Sequence, residues 1–218
     1  GINIGPNHET KDKSQDFYIC LSKIYSYADY ITINISSPNT EGLRDFHEEN
    51  SMIKLLEGLD KLKKDKNIDK PLAIKLSPDI NEKEISYIIE IINKYKIDGI
   101  IISNTTNQNR EKLLDSKKSE IGGLSGRPIK NISTNLIKKF YKELNRKITI
   151  IGVGGVDSGE SVFEKIAAGA DVTQLYTGMV YKGPGVVKEI KRELISILKN
   201  KKIKNISDAI GINAWPLI

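Results

Sequence analysis

Tyr30-Ile31-Thr32-Ile33-Asn34-Ile35-Ser36-Ser37-Pro38-Asn39 begins as a β-branched apolar run and ends in asparagines, serines and a proline. A buried strand favours Val, Ile and Leu, and each buried amide or hydroxyl without a partner costs on the order of 1–3 kcal/mol. Polar groups crowded at such a strand's end are therefore expected to face a flat polar ligand. The pattern recurs. Gly1–Gly5, Pro71–Ser77, Gly99–Thr105, Ile148–Gly154 and Val172–Gly178 are further short β-branched runs ended by Gly, Ser or Asn. Continuous apolar runs of this length read as parallel strands buried on both faces.

Helical periodicity fills the intervals. Ile85, Ile88, Ile89 and Ile92 recur at helical spacing behind Asn81, with Glu84 three residues after it as a capping box. Leu136, Ile137, Phe140, Tyr141 and Leu144 repeat the stripe behind Ser133, and Asp157 with Glu160 reads as another capping box ahead of Val162, Phe163 and Ile166. Alternating βα units imply a parallel sheet, either open and doubly wound or closed as a (βα)8 TIM barrel. Chemistry at the end of every strand favours the barrel, which gathers all those ends around one mouth. Six units in 218 residues fall short of a barrel's eight units and ~250 residues, and no methionine opens the chain. The expectation is an α/β (βα)8 TIM barrel with about six of its eight units present, one domain over residues 1–218, and the first two strands missing.

Composition narrows the function classes. Lys and Arg number 34 against 28 Asp and Glu, a formal charge of +6. The lysines are scattered along helical segments without interleaved aromatics, as on solvated faces, so no nucleic-acid partner is expected. The single cysteine, Cys20, excludes an internal disulfide and a cysteine-based metal site, and reads as a small core residue. His8 and His47 are the only histidines and form no motif, so neither a metal nor histidine catalysis is expected. No apolar run reaches the ~18 residues of a membrane span.

The strand ends carry Asn3; Asn34, Ser36, Ser37 and Asn39; Lys75; Ser103, Asn104, Thr105 and Thr106; Gly154 and Gly155; Tyr176 and Thr177. All are uncharged at pH 7 except Lys75. A lysine at the end of an apolar strand either pairs with a carboxylate such as Asp79 or faces an electron-rich cofactor ring; the second reading is favoured, because perturbed charges gather at functional sites. The glycine run from Gly152 to Gly159 lets backbone N–H groups approach a phosphate at a helix start. It is not a dinucleotide fingerprint, because Asp157 stands where the third glycine belongs. Alone, it reads almost as well as a tight turn. Combined with Tyr176-Thr177-Gly178 after the next strand, it fits the phosphate grip of barrels, and a single phosphate suggests FMN. Gly122–Pro128, following the polar stretch Asn107–Glu120, reads as a surface turn or a lid.

Six motifs carry a family resemblance: Asn-Ile-Ser-Ser-Pro-Asn-Thr-Glu-Gly-Leu-Arg (34–44), Ile-Lys-Leu-Ser-Pro-Asp (74–79), Ser-Asn-Thr-Thr (103–106), Gly-Gly-Leu-Ser-Gly-Arg-Pro (122–128), Ile-Gly-Val-Gly-Gly-Val (151–156) and Gln-Leu-Tyr-Thr (174–177). In this order they resemble dihydroorotate dehydrogenases of the quinone-dependent class. The resemblance implies FMN-dependent oxidation of dihydroorotate to orotate, with a membrane quinone as acceptor, in de novo pyrimidine (UMP) synthesis. It makes Ser37 the catalytic base for the C5 proton, where the cytosolic classes carry cysteine. Asn34, Ser36, Ser37, Asn39, Asn104 and Thr105 become substrate contacts. Asn3, Asn34, Lys75, Ser103, Gly126, Gly155, Tyr176 and Thr177 become flavin contacts.

The resemblance also implies a monomer at full length and a peripheral membrane protein, on the cytoplasmic side of a bacterial membrane or at the mitochondrial inner membrane. Attachment and the quinone tunnel would come from an N-terminal helical extension outside this chain, so the 218 residues alone are expected to bind FMN weakly and turn over negligibly. Two alternatives stand beside it. Another FMN barrel, of dihydropyrimidine or dihydrouridine type, would want a cysteine at position 37 or a basic, aromatic mouth. A catalytically silent phosphate-binding barrel would not need Ser37 or Lys75.

Overall fold

The computed structural model describes residues 1–215 except Asn109 and Lys112. All six expected strands form: β1 (Ile2–Ile4), β2 (Ile31–Asn34), β3 (Leu72–Leu76), β4 (Gly99–Ile102), β5 (Thr149–Val153) and β6 (Val172–Gln174). Every pairing is parallel, and the sheet order is the chain order, β1 to β6. An unreversed order has no switch point and rules out the doubly wound alternative. The sheet curls: Gln174 Nε2 of β6 donates to the Tyr30 hydroxyl, just before β2, at 3.4 Å. The result is a partial (βα) barrel with β1 and β6 as its two edges. Each strand is shorter than its apolar run, most of all the last, where Thr177 already opens a helix.

The helices are α1 (Lys13–Ile24), α2 (Glu49–Asp65), α3 (Glu82–Lys94), α4 (Lys130–Leu144), α5 (Gly159–Ala168), α6 (Thr177–Lys182) and α7 (Val186–Asn200). No helix among the described residues is long and apolar enough to cross a membrane. Side chains alternate along each strand. Outward-facing Ile31, Ile33, Ile74, Ile100 and Ile102 form the main core with Phe17, Leu21 and Phe140 from the helices. The inner face differs from the expected apolar run. Asn34, Lys75, Ile101 and Ile151 share one register level, and Asn3, Thr32, Ala73 and Gly99 the level below. Ala73, Ile101 and Ile151, with Val153 packed against them, make a small apolar cluster there.

Helix starts follow local hydrogen bonding. The α3 capping box forms as expected, with Asn81 accepting from Glu84 N–H and Glu84 reaching back to the Asn81 N–H. At α5 the capping box is Ser158 with Ser161, one residue later than Asp157 and Glu160, because the Asp157 carboxylate is held by Arg127 at 2.6 Å. Ser133 is not a cap. The cap position of α4 is Ile129, and Ser133 lies one turn inside, fully buried. Cys20 packs half-buried against the main core.

Phe140 is fully buried where α4 meets the sheet. Phe140→Ala should cost about 3–5 kcal/mol, seen as a lower urea midpoint at unchanged slope. A loss under about 1 kcal/mol would show that this helix contributes little to the core.

Candidate functional site

A cavity of about 910 Å³ opens at the C-terminal ends of β3 to β6, within the roughly 300–1,000 Å³ of small-molecule sites. Each element delivers its share of the wall: Lys75 from β3, Ser103, Asn104 and Thr105 after β4, Gly154 and Gly155 after β5, Tyr176 and Thr177 after β6. The segment from Gly123 to Ile129, carrying Gly126, closes the remaining side. Six of the eight expected flavin residues thus share one cavity.

One end is built of backbone. Gly154 (φ 110°) and Gly155 (φ 71°) hold left-handed conformations that only glycine adopts easily. A Cβ on Gly155 would also fall 2.5 Å from the Lys130 Cβ. The wall beside this turn is fixed by the Thr177 hydroxyl, 2.9 Å from that of Ser125. Tyr176 lines the cavity with its side chain largely exposed.

At the other end Asn104 and Thr105 line the cavity, with Asn34 and Ser36 behind them, outside its wall. Asn104 Nδ2 donates to Asn34 Oδ1 at 3.2 Å and to Ser36 Oγ at 3.0 Å. Ser36 donates its hydroxyl to the same Asn34 oxygen at 3.1 Å. Asn104 Oδ1 accepts from the Thr105 N–H at 2.8 Å. Both amides are thereby locked in one orientation.

Ser37 sits half-buried beside this cluster, its Oγ accepting from the Asn39 N–H at 3.3 Å. It is not part of the cavity wall. The connection runs through the next residue: a Cβ on Gly123 would meet Pro38 at 3.0 Å and the Thr105 side chain closer still, so the Ser37 loop packs on the cavity's edge. Two expected contacts stay apart. The exposed Asn39 joins the cluster only by its backbone, and Asn3 is exposed on β1, one register level below Lys75.

A bracing network around the site was not anticipated. Arg44 donates from Nε to the Ser36 carbonyl (3.4 Å), from Nη1 to Asp79 (2.9 Å) and from Nη2 to the Thr105 carbonyl (3.0 Å), tying the loops after β2, β3 and β4 together. The second Asp79 oxygen accepts from the Thr106 hydroxyl. Thr106 in turn exchanges backbone hydrogen bonds with Leu124 on the closing segment. His47 is buried beneath: its Nε2 accepts from the Ser77 N–H at 3.2 Å, so its Nδ1 carries the proton and donates to the Arg44 carbonyl at 3.2 Å. Burial pushes its pKa down to about 4.

Asp79 is therefore occupied, and the alternative pairing with Lys75 does not form. Lys75 makes no ion pair among the described residues, and burial lowers its pKa. Arg44 and Asp79 stood within the quoted motifs. Their partnership, 35 positions apart, had no local signal.

A sequence model described as dihydroorotate dehydrogenase matches residues 1–198. The chain belongs to the dihydroorotate dehydrogenase family. A Bartonella tribocorum relative, named dihydroorotate dehydrogenase (quinone), is 43% identical over 213 residues, covering 95% of this chain and 59% of the relative. A Vibrio cholerae relative of the same name is 46% identical over 204 residues, 89% of this chain and 60% of its own. The crystal structure of DHODH from Eimeria tenella in complex with ferulenol matches with a TM-score of 0.93 at 33% identity, covering 99% of this chain and 62% of that one. The chain thus spans about 60% of the length of these curated relatives. The family is flavin-dependent, and the cavity lies where a barrel dehydrogenase places its chemistry.

His47 gives a pH signature. Its folded pKa of about 4 lies below the ordinary 6.5, so the unfolded chain binds this proton first. The stability is fully present above pH 6.5 and is lost as pH falls toward 4, by about 3 kcal/mol. Urea unfolding between pH 4 and 7 should show this loss in the wild type and a flatter profile in His47→Gln. Parallel profiles would mean that His47 titrates normally in the fold.

Proposed function

We propose that this chain carries the flavin and substrate site of a quinone-dependent dihydroorotate dehydrogenase, which oxidises dihydroorotate to orotate in pyrimidine synthesis with FMN as its cofactor. The observation that carries this reading is a single cavity with a glycine turn at one end, a lysine in its wall that makes no ion pair among the described residues, and an oriented amide cluster beside it. That donor set fits FMN: backbone N–H groups for one phosphate, and a cation for a ring edge that gains negative charge on reduction. Lys75, Ser103, Gly126, Gly155, Tyr176 and Thr177 would hold it, with Asn34 behind Asn104 at the cavity's edge. FMN, when bound, supplies the two-electron acceptor chemistry.

The chain's own residues do the rest. Asn34 and Asn104, with Thr105, offer donors and acceptors at fixed positions, which suits the uncharged amide edges of dihydroorotate. Ser37 takes the C5 proton. A serine hydroxyl is a weak base in water and works only when desolvated, with its own proton passing to a water or relay group as the C5 proton arrives. Its half-buried position supports that role. Lys75, without a counter-ion among the described residues, is available to an anionic ring edge, which would favour its charged form against the burial that lowers its pKa. The membrane quinone, the peripheral membrane location and the monomeric state belong to the same proposal, by likeness to the quinone-linked relatives.

In the intact protein, Ser37→Ala should slow flavin reduction by dihydroorotate at least about 100-fold, the scale of a lost general base, with FMN content unchanged. Stopped-flow absorbance of the flavin reads both. An undiminished rate would remove Ser37 from the chemistry.

A further inference from the structure

Lys165 on α5 is fully buried, and both of its hydrogen-bond partners among the described residues are neutral. Its Nζ donates to Ser133 Oγ at 3.0 Å and Thr134 Oγ1 at 3.2 Å. The adjacent carboxylate, Glu164, is turned to Lys130 at 2.8 Å instead. Burial pushes the Lys165 pKa down to about 7. A buried cation without a counter-ion destabilises a fold, and an apolar side chain of similar length would not. The lysine is nevertheless accommodated deliberately: a Cβ on Gly152 would lie 3.2 Å from its stem and 3.0 Å from Ile137.

Both of its partners lead to the glycine turn. Ser133 Oγ lies against the carbonyls of Ile102 and Val153, the last residues of β4 and β5. A hydroxyl has one proton and two lone pairs. Because Lys165 occupies a lone pair, the proton is directed to the strand-end carbonyls, of which Val153 is the nearer. The next residue, Gly154, rests on Ser133, where a Cβ would meet the serine Cβ at 3.2 Å. Thr134 donates to the Lys130 carbonyl, and Lys130 is the residue against which Gly155 packs.

We propose that Lys165 is a positioning residue for phosphate binding: by fixing the hydroxyls of Ser133 and Thr134 it sets the backbone of Gly154–Gly155, which receives the phosphate of the flavin. The inference rests on the reading of the cavity as an FMN site. Lys165 acts through other groups and touches no ligand.

The test uses the intact protein stripped of flavin and follows quenching of flavin fluorescence with FMN and, separately, with riboflavin, which lacks the phosphate. Lys165→Met should leave the thermal midpoint unchanged or raised while weakening FMN about tenfold and riboflavin little. Ser133→Ala, which lowers the midpoint by leaving Lys165 and two carbonyls short of a partner, should show the same selective loss of FMN over riboflavin, and the double variant should bind FMN no more weakly than either single one. Equal FMN affinity in all variants overturns the inference. So does a lowered midpoint with equal loss of both flavins, the result of a merely structural role. If Lys165→Met does not fold, Ser133→Ala decides, by phosphate-selective weakening or its absence. A wild type that binds neither flavin would instead overturn the functional reading.

Discussion

Six parallel strands in unbroken chain order must end along one rim, because no strand turns back to carry its C-terminus elsewhere. Curling the sheet brings those ends around a common hollow, and the loops that leave them have no choice but to share it. The polar residues at the strand ends are tolerable for this reason. Asn34 and Asn104, 70 positions apart, would each strand buried donors and acceptors if left alone. Brought together, they satisfy one another through Ser36. The site is thus a consequence of register as much as of residue identity, and its stability cost is met by hydrogen bonds between loops.

Charge within the rim is partitioned by the same geometry. Arg44 reaches three loops because a guanidinium has five donors in a planar fork, which a lysine could not match. Its ion pair with Asp79 occupies the carboxylate that the sequence offered as a partner for Lys75. An unpaired cation in a cavity wall is an electrostatic imbalance that a ligand can correct. His47 supports this arrangement from below as a neutral group, accepting from the loop after β3 and donating to the loop after β2.

What could be read from sequence follows the range of the interactions. Strand count, parallel sheet and the α3 capping box rest on periodicity and on neighbours within a few residues, and these were legible. Lys75, Asn104 and Gly155 were legible because polar or glycine residues are conspicuous at the end of an apolar run. The α5 cap was displaced by one residue because Arg127, 30 positions away, claims Asp157. Ser133 looked like a cap since serine before an apolar stripe usually is one. Its true partners, two strand-end carbonyls and a buried lysine, exist only once α4 is laid on the sheet. The same applies to Asn3, whose position depends on which strands lie beside β1.

Among the described residues Lys75 and Lys165 are the two lysines whose charge burial disfavours, and they lie against opposite faces of the same sheet. Lys75 lines the hollow without an ion pair among the described residues, whereas Lys165 lies between sheet and helices, held by two hydroxyls. A fold selected for stability alone would carry neither, since apolar residues would pack in both places without desolvation. Both persist beside backbone or side chains that line the same cavity. The unfavourable burial is therefore concentrated around the strand ends of β3 to β5, where one cation remains free for a ligand and the other is committed to the wall that would hold it.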